Sequence, residues 1–257
     1  MSGLMEAAKV ARIARERSQF LKQRLHALRD TYIDYLKTLP AGRFYPNTAQ
    51  IFLDQTVKDI INDSSTSELT QEQVGQLLEV IPGVLERWTI PVRQRLLEII
   101  ENSVESNFVF DPETILDAAT TQFQCNNCLD YLTTERAMRH KCMFDLTWTD
   151  KIDDNDIKLA RIALYQTPWN ISGDLSFKQE NVAKMSKALE ICGFDPQAIT
   201  AADLDLVDPV IECITCNDTC SGRCTFRWTS LVSHILFFFT RVKPYLMYWL
   251  VVSSSTI

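Results

Sequence analysis

From Val10 to Leu36 the apolar residues Val10, Ile13, Phe20, Leu21, Leu25, Leu28, Tyr32, Ile33 and Leu36 recur mostly at three- and four-residue steps. Arg, Lys and Glu fill the positions between them, so the spacing predicts one long amphipathic helix. It should end at Leu39-Pro40 and Gly42, because proline disfavours helical geometry in the residue before it and glycine suits a C-cap. A second apolar segment, Ile51 to Ile61, is followed by the polar run Asn62 to Ser67, which reads as an exposed loop. Thr70 and Gln73 stand at capping-box spacing and open a helix from about Gln71, which Pro82-Gly83 is expected to close. Pro91 suits the first turn of another helix, carrying Val92, Leu96, Leu97, Ile99 and Ile100. Asp111-Pro112-Glu113 is a further N-cap signature leading into Ile115, Leu116 and Ala119, so the first 120 residues read as all-helical.

Further on, Asp145 to Asp156 is acidic, and the short apolar run Ile157 to Tyr165 suits either helix or strand. Phe177 to Cys192 is predicted helical, with Val182, Met185, Leu189 and Cys192 on one stripe and Gly193 as its stop. On that stripe Cys192 reads as a small core residue. Thr200 with Asp203 opens a last short helix.

Only 7 glycines and 9 prolines in 257 residues leave few turn-rich stretches, which argues against the many short strands of a sandwich or barrel. The fold class expected is mainly α, a multi-helix array with two small Cys/His zinc-binding modules, each a short β-knuckle plus helix. In order, the segments are a basic amphipathic helix (1–40), a helical domain (41–120), a first zinc module (121–145), a second helical domain (146–208), a second cysteine-rich module (209–234) and an apolar tail (235–257). The net charge of −7 argues against nucleic acid as a partner of the whole molecule. Residues 1–45 nevertheless carry nine Lys/Arg against four Asp/Glu. A nucleic-acid-binding regulator using that basic helix and the first finger is therefore the alternative reading. The start, charged throughout, has no secretory h-region, so a cytoplasmic or nuclear location is expected. In that reducing setting, eight cysteines in clusters read as metal ligands rather than disulfides.

The first cluster is Cys125-x2-Cys128-x11-His140-x-Cys142. Zinc takes four tetrahedral ligands, and a Cys-x2-Cys turn supplies two thiolates whose sulfurs its own amides can hydrogen-bond. Leu132 to Arg139 has helical composition, with Thr133 or Thr134 as cap, and would return His140 and Cys142 to the knuckle. Residues two apart lie on different sides of a helix, so that helix must stop at about His140. The second cluster holds Cys213, Cys216, Cys220 and Cys224, with His234 ten residues beyond. Either the four thiolates close a site alone, or Cys213 and Cys216 pair with His234 and one later cysteine. Two of the chain's three histidines, His140 and His234, thus stand beside cysteine clusters.

No nucleophile elbow, phosphate-binding loop, dinucleotide fingerprint or His-Glu-x-x-His pair is present, and both clusters offer at least four ligands, so the metal is expected to be structural and the protein non-enzymatic. The tail from Leu231 to Val252 is strongly apolar, but Arg241, Lys243 and Pro244 interrupt it. A tail anchor, a buried helix pair and a C-terminus from an altered reading frame are the three readings of it.

Arg12 to Leu39 with Tyr45-Pro46, the Phe123-x-Cys125-x2-Cys128…His140-x-Cys142 finger and the Cys213-x2-Cys216…Trp228…His234 ending resemble a group of F-box-associated, zinc-finger-like proteins of mushroom-forming fungi. The resemblance runs from about residue 10 to His234, although an F-box itself is not evident here. It implies a substrate-recognition or adaptor region of ubiquitin-ligase type, with protein partners and zinc-stiffened modules. It also implies that the second site uses Cys213, Cys216 and His234, leaving Cys220 and Cys224 ambiguous.

Overall fold

The computed structural model describes residues 2–41, 43–63, 68–145, 154–216, 222–238 and 249–252. Outside these lie Gly42, most of the polar run (64–67), most of the acidic segment (146–153), Cys220 and much of the apolar tail. The fold is mainly α, with two small sheets. The chain forms two compact units, Met1–Val92 with Met143–Gly173, and Arg93–Cys142 with Asp174–Ile257. The segment read as 146–208 is therefore divided between them.

In the first unit, α1 (Ser2–Leu36) is the long helix that the periodicity predicts. The 51–61 segment breaks into α2 (Thr48–Phe52) and α3 (Gln55–Asn62), because Asp54 takes an extended conformation and caps the second of them. α4 (Gln71–Arg87) starts on the reciprocal Thr70/Gln73 capping box. α7 (Asn155–Leu164) resolves the helix-or-strand ambiguity after Asp154, whose carboxylate accepts from two amides of the first turn. Leu25, Leu28 and Tyr32 of α1 pack with Ile51, Phe52, Val57, Ile61, Leu77, Ile81, Val84, Ala160 and Leu164 into one core.

Pro82 does not close α4, as its sequence position suggested, but lies inside it. The core positions Leu77, Ile81 and Val84 follow one face straight through the proline. Burying them outweighs the roughly 3 kcal/mol that an interior proline costs. The carbonyl left without an amide belongs to Leu78, on the exposed side, where water can serve it.

Arg24 is buried, 1% exposed, and its guanidinium donates to the carbonyls of Ile61 at 2.7 Å and Asp63 at 2.9 Å and to Gln73 Oε1 at 3.1 Å. It thereby serves the end of α3, whose last carbonyls have no helical donor. His26 Nε2 lies 2.6 Å from the Ala163 carbonyl, so that nitrogen carries the proton and joins α1 to the end of α7. The third histidine of the chain is thus occupied in packing helices.

The second unit begins within α5 (Thr89–Glu101). The helix expected after Asp111 is absent: residues 112–117 form consecutive turns. Asp111 does cap them, accepting from the Glu113 amide at 3.0 Å, but Ala118 pairs with Thr200 across an antiparallel bridge. The Ala119 amide donates to Ile199 and the Ala201 amide to Asp117, which holds the backbone extended.

Two three-stranded antiparallel sheets follow. In the first, β1 (Phe123–Cys125) lies between β2 (Tyr131–Leu132) and β3 (Leu175–Phe177). Phe177, expected in a helix, is therefore a strand residue facing Phe123 across the ladder, and α8 (Gln179–Ile191) starts two residues later. Gly193 terminates that helix at φ +83°, a conformation that suits glycine. In the second sheet, β4 (Val210–Cys213) lies between β5 (Thr225–Arg227) and β6 (Trp249–Val252). Helices α9 (Ala201–Val207) and α10 (Trp228–Phe238) flank it. Met185, Leu189, Cys192, Leu204, Ile211, Trp228, Leu231 and Ile235 form this unit's core, and Trp228 Nε1 donates to Asp205 at 2.7 Å. Among the described residues no helix is long and apolar enough to cross a membrane.

Candidate metal centres

β1 delivers Cys125 to the first site, and the chain then reverses through a tight knuckle. The Leu129 amide donates to the Cys125 carbonyl at 2.8 Å and the Cys125 amide to Asp130 at 2.9 Å. Leu129 takes the left-handed conformation at φ +63°, which turns the chain back so that Asp130 pairs with Cys125. The Asp130 amide in turn bonds the Cys128 sulfur, the amide-to-thiolate contact that metal knuckles use to steady their ligands. The Asn126 amide anchors the turn on the Asp174 carbonyl at 2.7 Å, just before β3.

The other two ligands arrive on α6 (Thr134–Arg139), capped by Thr133. His140 leaves helical geometry at φ −69°, ψ 127°, and Cys142 follows in a one-turn 3-10 helix, Lys141–Phe144. The helix thus ends where the ligand spacing required. One ligand atom each from Cys125, Cys128, His140 and Cys142 lies within 4.8 Å of all the others. Cys125 and Cys142 are buried and Cys128 is exposed, so the cluster lies at the rim of the core.

The second site has the same opening. Cys213 ends β4, Cys216 ends the 3-10 turn Ile214–Cys216, and His234 projects from α10. One ligand atom from each of these three again lies within 4.8 Å of the other two. Cys224 falls outside that grouping, though its carbonyl accepts from the Cys213 amide at 2.8 Å. Phe226 stacks on the His234 ring, with centroids 4.2 Å apart and planes 26° from parallel. No sequence motif singled out Phe226; the available signal was its place two residues after Cys224, on the same face of a strand.

In both clusters the sulfur-to-nitrogen spacing suits a bound metal ion, for which zinc gives the comparison. Bonds of about 2.3 Å to sulfur and about 2.0–2.1 Å to nitrogen place those two atoms about 3.5 Å apart. Cys128 Sγ and His140 Nε2 are separated by 3.2 Å, and Cys216 Sγ and His234 Nε2 by 3.4 Å. Although Cys128 lies at the rim, partial loss of hydration raises its thiol pKa to about 12, the Asp130 amide opposing this and the Cys125 and Asp130 side chains adding to it. Burial followed by Cys213 and Cys224 does the same to Cys216. A divalent cation reverses this by binding the thiolates, so metal uptake must release protons. Burial lowers the His234 pKa, which favours the neutral imidazole that coordinates metal. Cys192 is absent from both groups and lies in the core, where burial pushes its thiol up to about 11. None of the described cysteines is joined in a disulfide.

The two Cys/His clusters can therefore hold metal ions. No protein family, curated protein or solved structure matches this chain.

Proposed function

We propose that this chain is a non-enzymatic protein-interaction module stiffened by two structural zinc ions, working as an adaptor of the kind its F-box-associated resemblance implies. The observation that carries the zinc reading is the convergence of Cys125, Cys128, His140 and Cys142 from a strand, a knuckle, a helix end and a 3-10 turn. Four protein ligands fill a tetrahedral zinc and leave no position for substrate or water, which is the mark of a structural site. Soft thiolates beside imidazole favour zinc over magnesium or calcium, which take oxygen ligands.

The interaction reading draws on the long N-terminal helix. Val10, Ile13 and Phe20 are 59%, 52% and 44% exposed there, although they continue the stripe that Leu25 and Leu28 bury. Exposed apolar side chains at helical spacing, here with Glu16 and Arg17 between them, are a common feature of protein-binding helices.

Metal analysis of the purified full-length protein, paired with thermal unfolding in the presence and absence of a strong chelator, tests the proposal. About two zinc ions per chain and a marked fall in melting temperature on chelation are expected. Protein that carries no zinc and melts unchanged in chelator would refute it. Steeply salt-dependent binding to DNA or RNA would instead favour the nucleic-acid regulator.

A further inference from the structure

Among the described residues the second cluster brings together three ligands, Cys213, Cys216 and His234, where a closed zinc site needs four. At the first cluster the fourth ligand comes two residues after the histidine, because α6 has already ended at Arg139. That route is closed at the second, where α10 continues through His234 to Phe238 and the residue two beyond is Leu236.

The β4–β5 ladder offers another source. Its register pairs Val210 with Arg227, Ile211 with Phe226 and Glu212 with Thr225. The next step opposes Cys213 and Cys224, and the 2.8 Å bond from the Cys213 amide to the Cys224 carbonyl shows that the ladder continues to them. Directly opposed residues in an antiparallel pair present their side chains on one face, with Cβ atoms about 4.5–5.5 Å apart. By alternation that face also carries Ile211, which is buried in the core, and Phe226, which is stacked on His234. The opposite face carries Glu212 and Arg223, joined by an ion pair with one bond of 2.9 Å. Cys224 thus faces the cluster.

We propose that Cys224 is the fourth ligand of the second site, making it a three-cysteine, one-histidine centre like the first. This rests on the zinc reading above. The Cys224 thiol lies outside the 4.8 Å separation that holds the other three ligands together, so closing the site requires its side chain to turn inward.

Alkylation of the zinc-loaded wild-type protein, mapped by mass spectrometry, tests this without altering the fold. Cys224 should be protected alongside Cys213 and Cys216, reacting at least about tenfold faster once chelator is added, whereas Cys220 should react at a rate independent of zinc. Cobalt substitution gives a second readout. Three thiolates at each site make six, so Cys224→Ser should lower the sulfur-to-cobalt absorbance by about one-sixth, while Cys220→Ser leaves it unchanged. Zinc-independent labelling of Cys224, or protection of Cys220 in its place, would overturn the assignment while leaving zinc binding intact. If Cys125, Cys128 and Cys142 also show no zinc-dependent protection, the zinc reading itself fails.

Discussion

Replacing Phe226 with alanine should weaken metal binding at the second cluster and leave the first unchanged. The phenyl ring lies over the His234 imidazole at 4.2 Å between centroids, in stacked rather than edge-on geometry. It therefore fixes the orientation from which Nε2 reaches the metal position beside Cys216. Aromatic pairs contribute about 0.5–1.5 kcal/mol beyond the area they bury. At about 1.4 kcal/mol per factor of ten, losing that orientation corresponds to roughly a 2- to 13-fold fall in affinity. This overlaps the lower part of the roughly 10- to 100-fold range seen when partners that orient metal ligands are removed. The assay is a zinc competition titration against a chromophoric chelator, which resolves the two sites as separate phases. Phe226→Leu, which keeps apolar cover but not the flat ring, should fall between alanine and wild type. Equal weakening of both phases would mean that the substitution damages the whole unit. Unchanged affinity of the second phase would mean that the stack does not position His234, and either result refutes the argument.

Arg24→Ala removes three close hydrogen bonds, to Ile61, Asp63 and Gln73, from a buried position, and should destabilise the protein by roughly 1.5–3 kcal/mol in urea unfolding; a loss below about 1 kcal/mol would show that water replaces the guanidinium. Asp54 is drawn upward in pKa by burial, but hydrogen bonds from Thr56 and Arg87 outweigh this and hold its carboxyl below the ordinary value. Its ionised form is thus favoured by folding, and that stability is present above the unfolded pKa of about 3.9 and lost as pH falls through the native pKa. Asp54→Asn should cost about 0.5–1 kcal/mol near neutral pH, since asparagine still caps α3, and the difference should vanish in acid; a gap that persists at low pH counts against the ionic origin. Hydrogen exchange on the full chain should show chelator removing amide protection from the strands Phe123–Cys125, Tyr131–Leu132, Val210–Cys213 and Thr225–Arg227 while sparing α4, and uniform loss along the chain would contradict that division.

Local signals carried most of the helical fold and part of each metal site. The capping pairs Thr70/Gln73 and Thr200/Asp203 are reciprocal boxes in the structure, and ligand spacing alone required the helix end at His140. What local patterns could not convey was pairing between distant segments. Phe177 reads as the start of a helix until its opposition to Phe123, 54 residues earlier, makes it a strand. The Asp111 cap is present, but the Ala118–Thr200 bridge prevents the helix that the cap would otherwise start. Pro82 misled for a related reason, since the benefit of continuing α4 lies in a core assembled from five helices. At the second cluster the sequence left Cys220 and Cys224 undecided beside Cys213 and Cys216, and only the β4–β5 register sets Cys224 opposite Cys213.

The two clusters share one plan. In each, the central strand of a three-stranded sheet ends at the first cysteine, a short knuckle carries the second, a return strand pairs back, and the following helix supplies the histidine. These strands are two to four residues long, shorter than the usual five or six, and hairpins of that length are marginal at best in water. Something must hold the strand, its knuckle and the helix together, and an apparent binding energy of about 10–16 kcal/mol for a structural zinc is ample for that. Cys125 and Cys213 are fully buried at the strand ends, so each metal position joins its sheet to the packed interior of the unit. A metal placed there acts on the fold before it acts on anything outside it. On the proposed reading, loss of either ion would therefore loosen the scaffold beneath any interaction surface, even where no ligand residue touches a partner.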